Sequence, residues 1–140
     1  MSEQQPDSTE LVRPCDVRGL LHAHTRYADG AHSLRRMVET ARALGLEYLG
    51  ISDHLRSERH PDGLDLAGEI AQQAEITALR EEYPGFELMH GMEVDAAEDG
   101  SLDLPAGLRD NLDYLLAALP SPNGHSKESY TEAALRLIQN

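Results

Sequence analysis

Histidines and carboxylates recur where three apolar runs of this sequence end. The stretch GLLHAHTRYADG places His22 and His24 two residues apart and Asp29 shortly after them, ISDH ends in His54, and GMEVD carries Glu93. Side chains two residues apart on a strand lie on the same face, so one cation can reach both histidines of the first pair. Imidazole nitrogens and carboxylate oxygens are ligands of zinc and other divalent metals. The recurrence at three successive strand ends therefore predicts a metal site.

Each of these residues also has a simpler explanation when it is taken alone. The His-x-His pair fits two polar residues at a strand exit, and Asp29 fits a turn. Asp53 fits a helix or loop cap, and Glu93 fits an exposed loop. Histidines and carboxylates at the ends of several strands together are harder to explain by chance, and the combination favours a metal site.

The elements that must position these residues alternate along the chain. Apolar runs of strand length and amphipathic segments with helical spacing follow one another, separated by turn signals such as Asp99-Gly100. We predict strands at 17–24, 46–52, 86–94 and 112–119 and helices at 33–45, 64–83 and 127–140. This order is typical of the α/β class with a parallel sheet and crossover helices, in which reactive groups gather at the carboxyl ends of the strands.

The first helix has the clearest local signals. Its apolar residues recur at helical spacing, which predicts the helix: Leu34, Met37, Val38, Ala41 and Leu44. Ser33 is the candidate N-cap and Gly45 the candidate end. The second helix is predicted to end at the Pro84-Gly85 breaker.

Length and charge limit the class of protein. A chain of 140 residues, 40% of them hydrophobic, fits one domain. The net charge of −13 opposes unaided binding to nucleic acid at long range. Part of this acidic excess is also what carboxylate ligands awaiting divalent cations would contribute.

The first residues and the cysteine content indicate the compartment. Cys15 is the single cysteine, so there is no disulfide framework and a cytoplasmic location is expected. The first residues lack the features of a secretory signal, and no apolar run is long enough to span a bilayer, so we expect no membrane partner. Residues 1–15 are polar with two prolines and are predicted to form a flexible lead-in to a domain at 16–140.

Three motifs resemble those of the polymerase and histidinol phosphatase (PHP) domain family. LHAHTRYADG is similar to the first motif of the family, ISDH to the second and GMEVD to the third. The likeness is strongest to the PHP module of bacterial family X DNA polymerases, through DVRGLLHAHT, RALGLEYLGISDH and GMEVDAAEDGSLDLP.

The resemblance implies a distorted seven-stranded β/α barrel that holds up to three divalent metals, commonly zinc, manganese or iron. Members hydrolyse phosphate esters with a metal-activated water, either as phosphomonoesterases or, attached to polymerases, as nucleases at DNA 3′ ends. The substrate expected here is thus a phosphate ester, with a DNA end if a polymerase is associated.

The resemblance also implies a role for each motif residue. His22, His24 and Glu93 would form one metal site, and Glu93 would bridge to a second metal. Asp29 and His54 would serve a third. Arg56 lies where the family often places a basic residue near the substrate phosphate, so it is the candidate substrate-binding residue.

The sequence departs from the family pattern at several positions. Pro120 stands where the fourth motif has a histidine, His125 follows five residues later in a predicted surface loop, and Leu20 replaces an aspartate common in the first motif. The chain ends at Asn140, before a further histidine and an Asp-x-His pair of the family. We therefore expect the N-terminal portion of the domain, a partial distorted β/α barrel of about four of the seven strand-helix units, with parallel strands and outer helices.

Such a partial barrel has an unpaired edge and an exposed inner face. Three outcomes are open for such a barrel: it is closed by a second copy, it is closed by a partner chain that supplies the missing half, or it stays open. Two alternatives to a phosphoesterase remain open: a degenerate, non-catalytic module that binds a metal or a protein, and a gene fragment.

Overall fold

Strands and helices alternate throughout the described part of the chain. The computed structural model describes residues 11–102, 104–105, 107–119, 121 and 124–139. Its strands are β1 (Gly19–Leu20), β2 (Tyr48–His54), β3 (Glu87–Asp95) and β4 (Tyr114–Ala118), and its helices are α1 (Leu34–Ala43), α2 (Leu66–Glu82) and α3 (Lys127–Ile138). The strands pair in the order β1-β2-β3-β4, every pair parallel, and form a curled half-barrel. The predicted α/β class and partial barrel are confirmed.

Local signals define the helix ends. The Ser33 side chain accepts a hydrogen bond from the backbone N–H of Arg36 at 3.3 Å, which confirms the predicted N-cap of α1. Gly45 follows this helix with φ of +78°, a left-handed conformation that favours glycine. Asp65 caps α2 through the N–H of Gly68 at 2.9 Å.

The hydrophobic core lies between the outer face of the sheet and the helices. Buried residues from β2, β3, α1 and α2 form its main part: Leu34, Val38, Leu49, Ile51, Ile76, Leu79 and Leu88. A second cluster joins Met92 and Val94 of β3 to Leu64 and Leu108. Side chains alternate between the two faces of a strand. The residues of β2 and β3 that alternate with these buried ones, including His54 and Glu93, therefore lie on the inner face.

The first strand is shorter than predicted. The sequence predicts a strand over 17–24, whereas only Gly19–Leu20 pair with β2 as a strand. Beyond Leu20, side chains of β2 replace part of the backbone hydrogen bonding between strands. The Leu21 carbonyl accepts from Ser52 Oγ at 2.9 Å, and the Thr25 N–H donates to a carboxylate oxygen of Asp53. The backbone before and after the two histidines is therefore held by β2 without a regular ladder.

Tyr114 of β4 lies across the inner face of the sheet. A Cβ built on Gly91 would lie 2.2 Å from Cζ of Tyr114, and one on Gly50 would lie 2.4 Å from its hydroxyl oxygen. The hydroxyl donates to the carbonyl of Leu21 at 2.7 Å and lies 2.9 Å from Oγ of Ser52. Two strand glycines thus make room for one ring that reaches from β4 to the end of β1.

We expect Gly91→Ala to destabilise the fold by about 2 kcal/mol, because the added methyl group must displace the Tyr114 ring from a packed face. Urea unfolding followed by circular dichroism measures the change. Gly85→Ala is the matched control, since a Cβ at Gly85 meets no atom within 4 Å. Equal stability of the two variants would contradict this packing.

The ends of the chain are described in part. Pro14–Asp16 form a short 3₁₀ turn. Residues 1–10 and Pro120 lie outside the described residues, so the flexible lead-in at 1–15 and the domain limits at 16–140 stay predictions. Among the helices described, none combines the length and apolar character needed to cross a bilayer.

Candidate metal centre

The carboxyl ends of the first three strands bring the candidate ligands together. His54 ends β2, and Glu93 pairs with it in register on β3. His22 and His24 lie on the segment that follows β1 and runs beside β2, where the Ala23 carbonyl accepts from the Ser52 N–H at 2.9 Å. Parallel strands in register therefore place the three motifs at one edge of the sheet.

The carboxylate of Glu93 lies at the centre of this cluster. Its Oε2 lies 2.9 Å from Nε2 of His22, 3.4 Å from Nε2 of His24 and 3.6 Å from Nδ1 of His54. The Glu93 side chain is 14% exposed, whereas that of His22 is 55% exposed, so the cluster opens to solvent on the His22 side. Ligand atoms of His22, His24 and Glu93 lie within 4.8 Å of one another, close enough to share one cation.

A second set shares His24. Its Nδ1 lies 3.4 Å from Oδ1 of Asp29, and Nε2 of His54 lies 3.9 Å from Oδ2 of the same aspartate. The turn that brings Asp29 back is closed by the N–H of Gly30, which donates to the Thr25 carbonyl at 2.8 Å. A Cβ at Gly30 would lie 2.3 Å from the His24 carbonyl oxygen, so this turn requires glycine.

The donor set fits a divalent cation. Nδ1 of His24 is buried and has no hydrogen-bond partner within the described residues, although it faces Asp29. Burial lowers the pKa of His54 below its usual value, while the nearby Glu93 carboxylate opposes this shift. A lowered pKa favours the neutral imidazole, which is the form that binds metal. Both sets combine imidazole with carboxylate, as zinc, manganese and iron sites do.

Asp53 is a residue of the site that the sequence did not reveal. Its side chain is fully buried and accepts from the N–H and the Oγ1 of Thr25, both at 2.5 Å, and from the side-chain amide of Gln72 on α2. Asp53 precedes His54, and Thr25 follows His24. This carboxylate therefore holds two ligand-bearing segments against each other instead of capping a helix or loop.

The loop after β2 places Arg56 and His60 differently. Nη1 of Arg56 lies 3.2 Å from Oδ2 of Asp65, and its Nε donates to the Gly63 carbonyl. Its predicted contact with a substrate phosphate stays a prediction. The ring of His60 stacks on that of His54, with centroids 3.5 Å apart and an interplanar angle of 9°. No motif pointed to His60.

The other residues singled out from the sequence lie away from the cluster or outside the described part. Leu20 is 49% exposed at the end of β1. His125 packs edge-on against Tyr130, with ring centroids 6.0 Å apart. The structure brings the five predicted ligands together in one cluster, and their service as ligands stays a prediction: His22, His24, Asp29, His54 and Glu93.

The fold and this cluster define a class. The chain is a parallel β/α half-barrel whose strand ends carry two overlapping imidazole and carboxylate sets suited to divalent metal. The PHP domain model matches residues 21–138, and the chain belongs to this family.

Curated relatives agree with this assignment. The chain is 36% identical over 120 residues to the DNA polymerase/3′-5′ exonuclease PolX of Bacillus subtilis (strain 168), which covers 85% of this chain and 21% of that protein. It is 30% identical over 131 residues to a probable phosphatase of Thermoanaerobacter sp. (strain X514), covering 86% of the chain and 50% of the relative. A probable phosphatase of Vibrio vulnificus (strain YJ016) is 31% identical over 124 residues, with 84% and 47% covered. The chain thus spans about half the length of these phosphatases and a fifth of the polymerase.

Proposed function

We propose that this chain carries the metal centre of a phosphoesterase that hydrolyses phosphate esters with a metal-activated water. The observation that carries the proposal is the convergence of three imidazoles on Oε2 of Glu93 at one open edge of the sheet. The names of the relatives, probable phosphatases and a 3′-5′ exonuclease, support phosphate-ester chemistry. Zinc, manganese and iron all suit these ligands.

The candidate ligands form two sets, each of which would hold one cation. His22, His24 and Glu93 would hold one cation, and His24, Asp29 and His54 form the set for another. When bound, divalent cations supply Lewis acidity toward water and the phosphoryl oxygens. Hydrolysis breaks the bond between phosphorus and the ester oxygen, joins a water oxygen to phosphorus and returns one water proton to the leaving alcohol.

The orientation of the ligands comes from the chain itself. The main-chain N–H of Ser52 and the carboxylate of Asp53 fix the His22–Thr25 segment from β2. Glu93, with three imidazoles around one oxygen, fixes the rings relative to β3. Phosphomonoesters and DNA 3′ ends are both substrates within this chemistry, and Arg56 is the proposed phosphate contact beyond the ligands.

The proposal predicts that the full chain loaded with manganese hydrolyses p-nitrophenyl phosphate or shortens a 3′-recessed DNA duplex, and that His22→Ala lowers the rate by about a hundredfold or more. Release of nitrophenol and gel analysis of labelled DNA measure the two reactions. Glu87→Gln, an exposed carboxylate at the other end of β3, is the control and should keep the wild-type rate. Turnover that survives His22→Ala unchanged would contradict the proposal.

The second candidate is a non-catalytic module that binds one metal or a protein. It is favoured by Pro120, because the sequence has proline where the family resemblance expects a histidine, and proline supplies no ligand atom. Elemental analysis separates the two candidates, since two or three metals per chain contradict the non-catalytic one. A gene fragment would be recognised by an in-frame continuation of the coding DNA that carries the missing histidines and Asp-x-His pair.

We also propose that further strands complete the barrel, supplied by a second copy or by a partner chain, and that the protein works in the cytoplasm. Leu20 and Leu21, at the outer edge of the sheet, are 49% and 47% exposed, which supports an additional apolar contact there. An exposed Cys15 thiol suits a reducing compartment.

A further inference from the structure

A cleft of about 560 Å³ opens beside the candidate metal centre. It lies between the loop after β2 and the segment after β3. Its polar lining is Ser57, Glu58, Arg59, Asp95 and Ser101, and Ala97 and Leu102 are among its apolar lining residues. Its volume falls within the range of small-molecule pockets, about 300–1,000 Å³. Hydroxyl, carboxylate and guanidinium groups alternate here with small apolar side chains.

Asp95 forms polar contacts with the loop 55–63, which forms one side of this cleft. Ser57 Oγ donates to Oδ2 of Asp95 at 2.7 Å and accepts from the N–H of His60 at 3.1 Å. Nη1 of Arg59 lies 3.4 Å from Oδ1 of the same carboxylate. The polar wall of the cleft is therefore a fixed arrangement of donors and acceptors.

The cleft continues from the metal centre. Asp95 lies two residues after Glu93 on β3, so both carboxylates lie on the inner face of the sheet. His60 stands between the two regions, because its ring stacks on His54 and its Nε2 lies 3.9 Å from Asp95. The cleft therefore adjoins the strand end that carries Glu93, on the side of Asp95.

The charges around the opening of the cleft favour binding of a small phosphate ester over binding of a nucleic acid. The two arginines of the loop 55–63 beside the cleft are both paired with carboxylates, Arg56 with Asp65 and Arg59 with Asp95. The chain contains a single lysine and carries a net charge of −13. A DNA backbone is usually followed by a run of unpaired cations, and the paired arginines of the described residues do not supply one beside the cleft.

We propose that this cleft is the leaving-group subsite of the proposed phosphoesterase and that it takes the hydroxyl-rich part of a small sugar phosphate. The inference rests on the proposed function. Arg59 and Asp95 act as specificity residues: the guanidinium and the carboxylate bond to hydroxyl groups, while Ala97 and Leu102 pack against the carbon face of the sugar.

Calorimetric titration of the manganese-loaded chain with ribose 5-phosphate and with inorganic phosphate tests the assignment. We expect ribose 5-phosphate to bind about tenfold more tightly, and Arg59→Ala to remove this preference, since a hydrogen bond to a charged group contributes about that factor. Ala97→Phe fills the cleft from an exposed position and should have the same effect. Arg35→Ala, on α1 far from the cleft, is the matched control and should keep the preference.

The outcomes separate the cleft from the metal centre. Binding of manganese and inorganic phosphate without preference for the sugar phosphate, or a preference that survives Arg59→Ala and Ala97→Phe, would overturn the subsite alone. Tighter competition by single-stranded DNA than by ribose 5-phosphate would overturn it too. Failure of manganese and phosphate to bind at all would instead contradict the proposed function, and the subsite with it.

Discussion

Replacing Glu93 by glutamine is expected to weaken the binding of manganese or zinc by at least about a hundredfold. Residues that merely support metal ligands contribute factors of about 10–100, and a direct ligand should contribute more. The structure makes Glu93 the group with the largest effect, because its Oε2 is within 3.6 Å of a ring nitrogen of His22, His24 and His54. Glutamine keeps the shape but removes the charge that a cation requires.

The measurement is competition with a chromophoric chelator, followed by elemental analysis of the purified variant. Glu87→Gln changes the same residue type on the same strand, at an exposed position among the amino ends of the strands. It should bind metal as the wild type does. An unchanged affinity and stoichiometry in Glu93→Gln would exclude the cluster as a metal centre.

Asp53→Ala is expected to lower the free energy of unfolding of the metal-free chain by about 3–5 kcal/mol, because each buried group left unsatisfied costs about 1–3 kcal/mol. The variant leaves the Thr25 N–H, the Thr25 hydroxyl and the Gln72 amide without their buried acceptor. Natural domains have a total stability of only about 5–15 kcal/mol, so this is a large fraction. Urea unfolding gives the value.

A variant that still folds distinguishes positioning from simple stability. Asp53→Asn keeps one acceptor oxygen and should recover part of the stability. It should still bind metal more weakly than the exposed control Asp62→Ala, because the segment after His24 is then less firmly held beside His54. If Asp53→Asn bound metal with wild-type affinity, Asp53 would contribute to the fold without positioning the ligands.

Local signals in the sequence were sufficient for much of the architecture. Ser33 and Gly45 marked α1 because a cap and a left-handed residue depend on a few neighbouring residues. The apolar runs of β2 and β3 were predicted because parallel strands are buried along most of their length. With these strands in register, the proximity of His54 to Glu93 follows from the order of elements alone.

Long-range contacts could not be predicted from sequence patterns. Asp53 bonds to residues 28 positions before it and 19 positions after it, and no spacing rule connects them. The true length of β1 depends on the same kind of contact, because Ser52 and Tyr114 bond to Leu21 from other strands. His60 was missed since its stacking on His54 depends on how the loop folds back.

The ring of Tyr114 has a consequence for the shape of the sheet. It rests on two strand positions without side chains, Gly50 and Gly91, and its hydroxyl is bonded to Leu21 just beyond the first strand. The distance across the sheet from β4 to the end of β1 is therefore spanned by the rigid side chain of Tyr114. The four-stranded sheet therefore already has the concave curvature of a barrel wall. Any further strands would pair with a sheet whose curvature is set in advance.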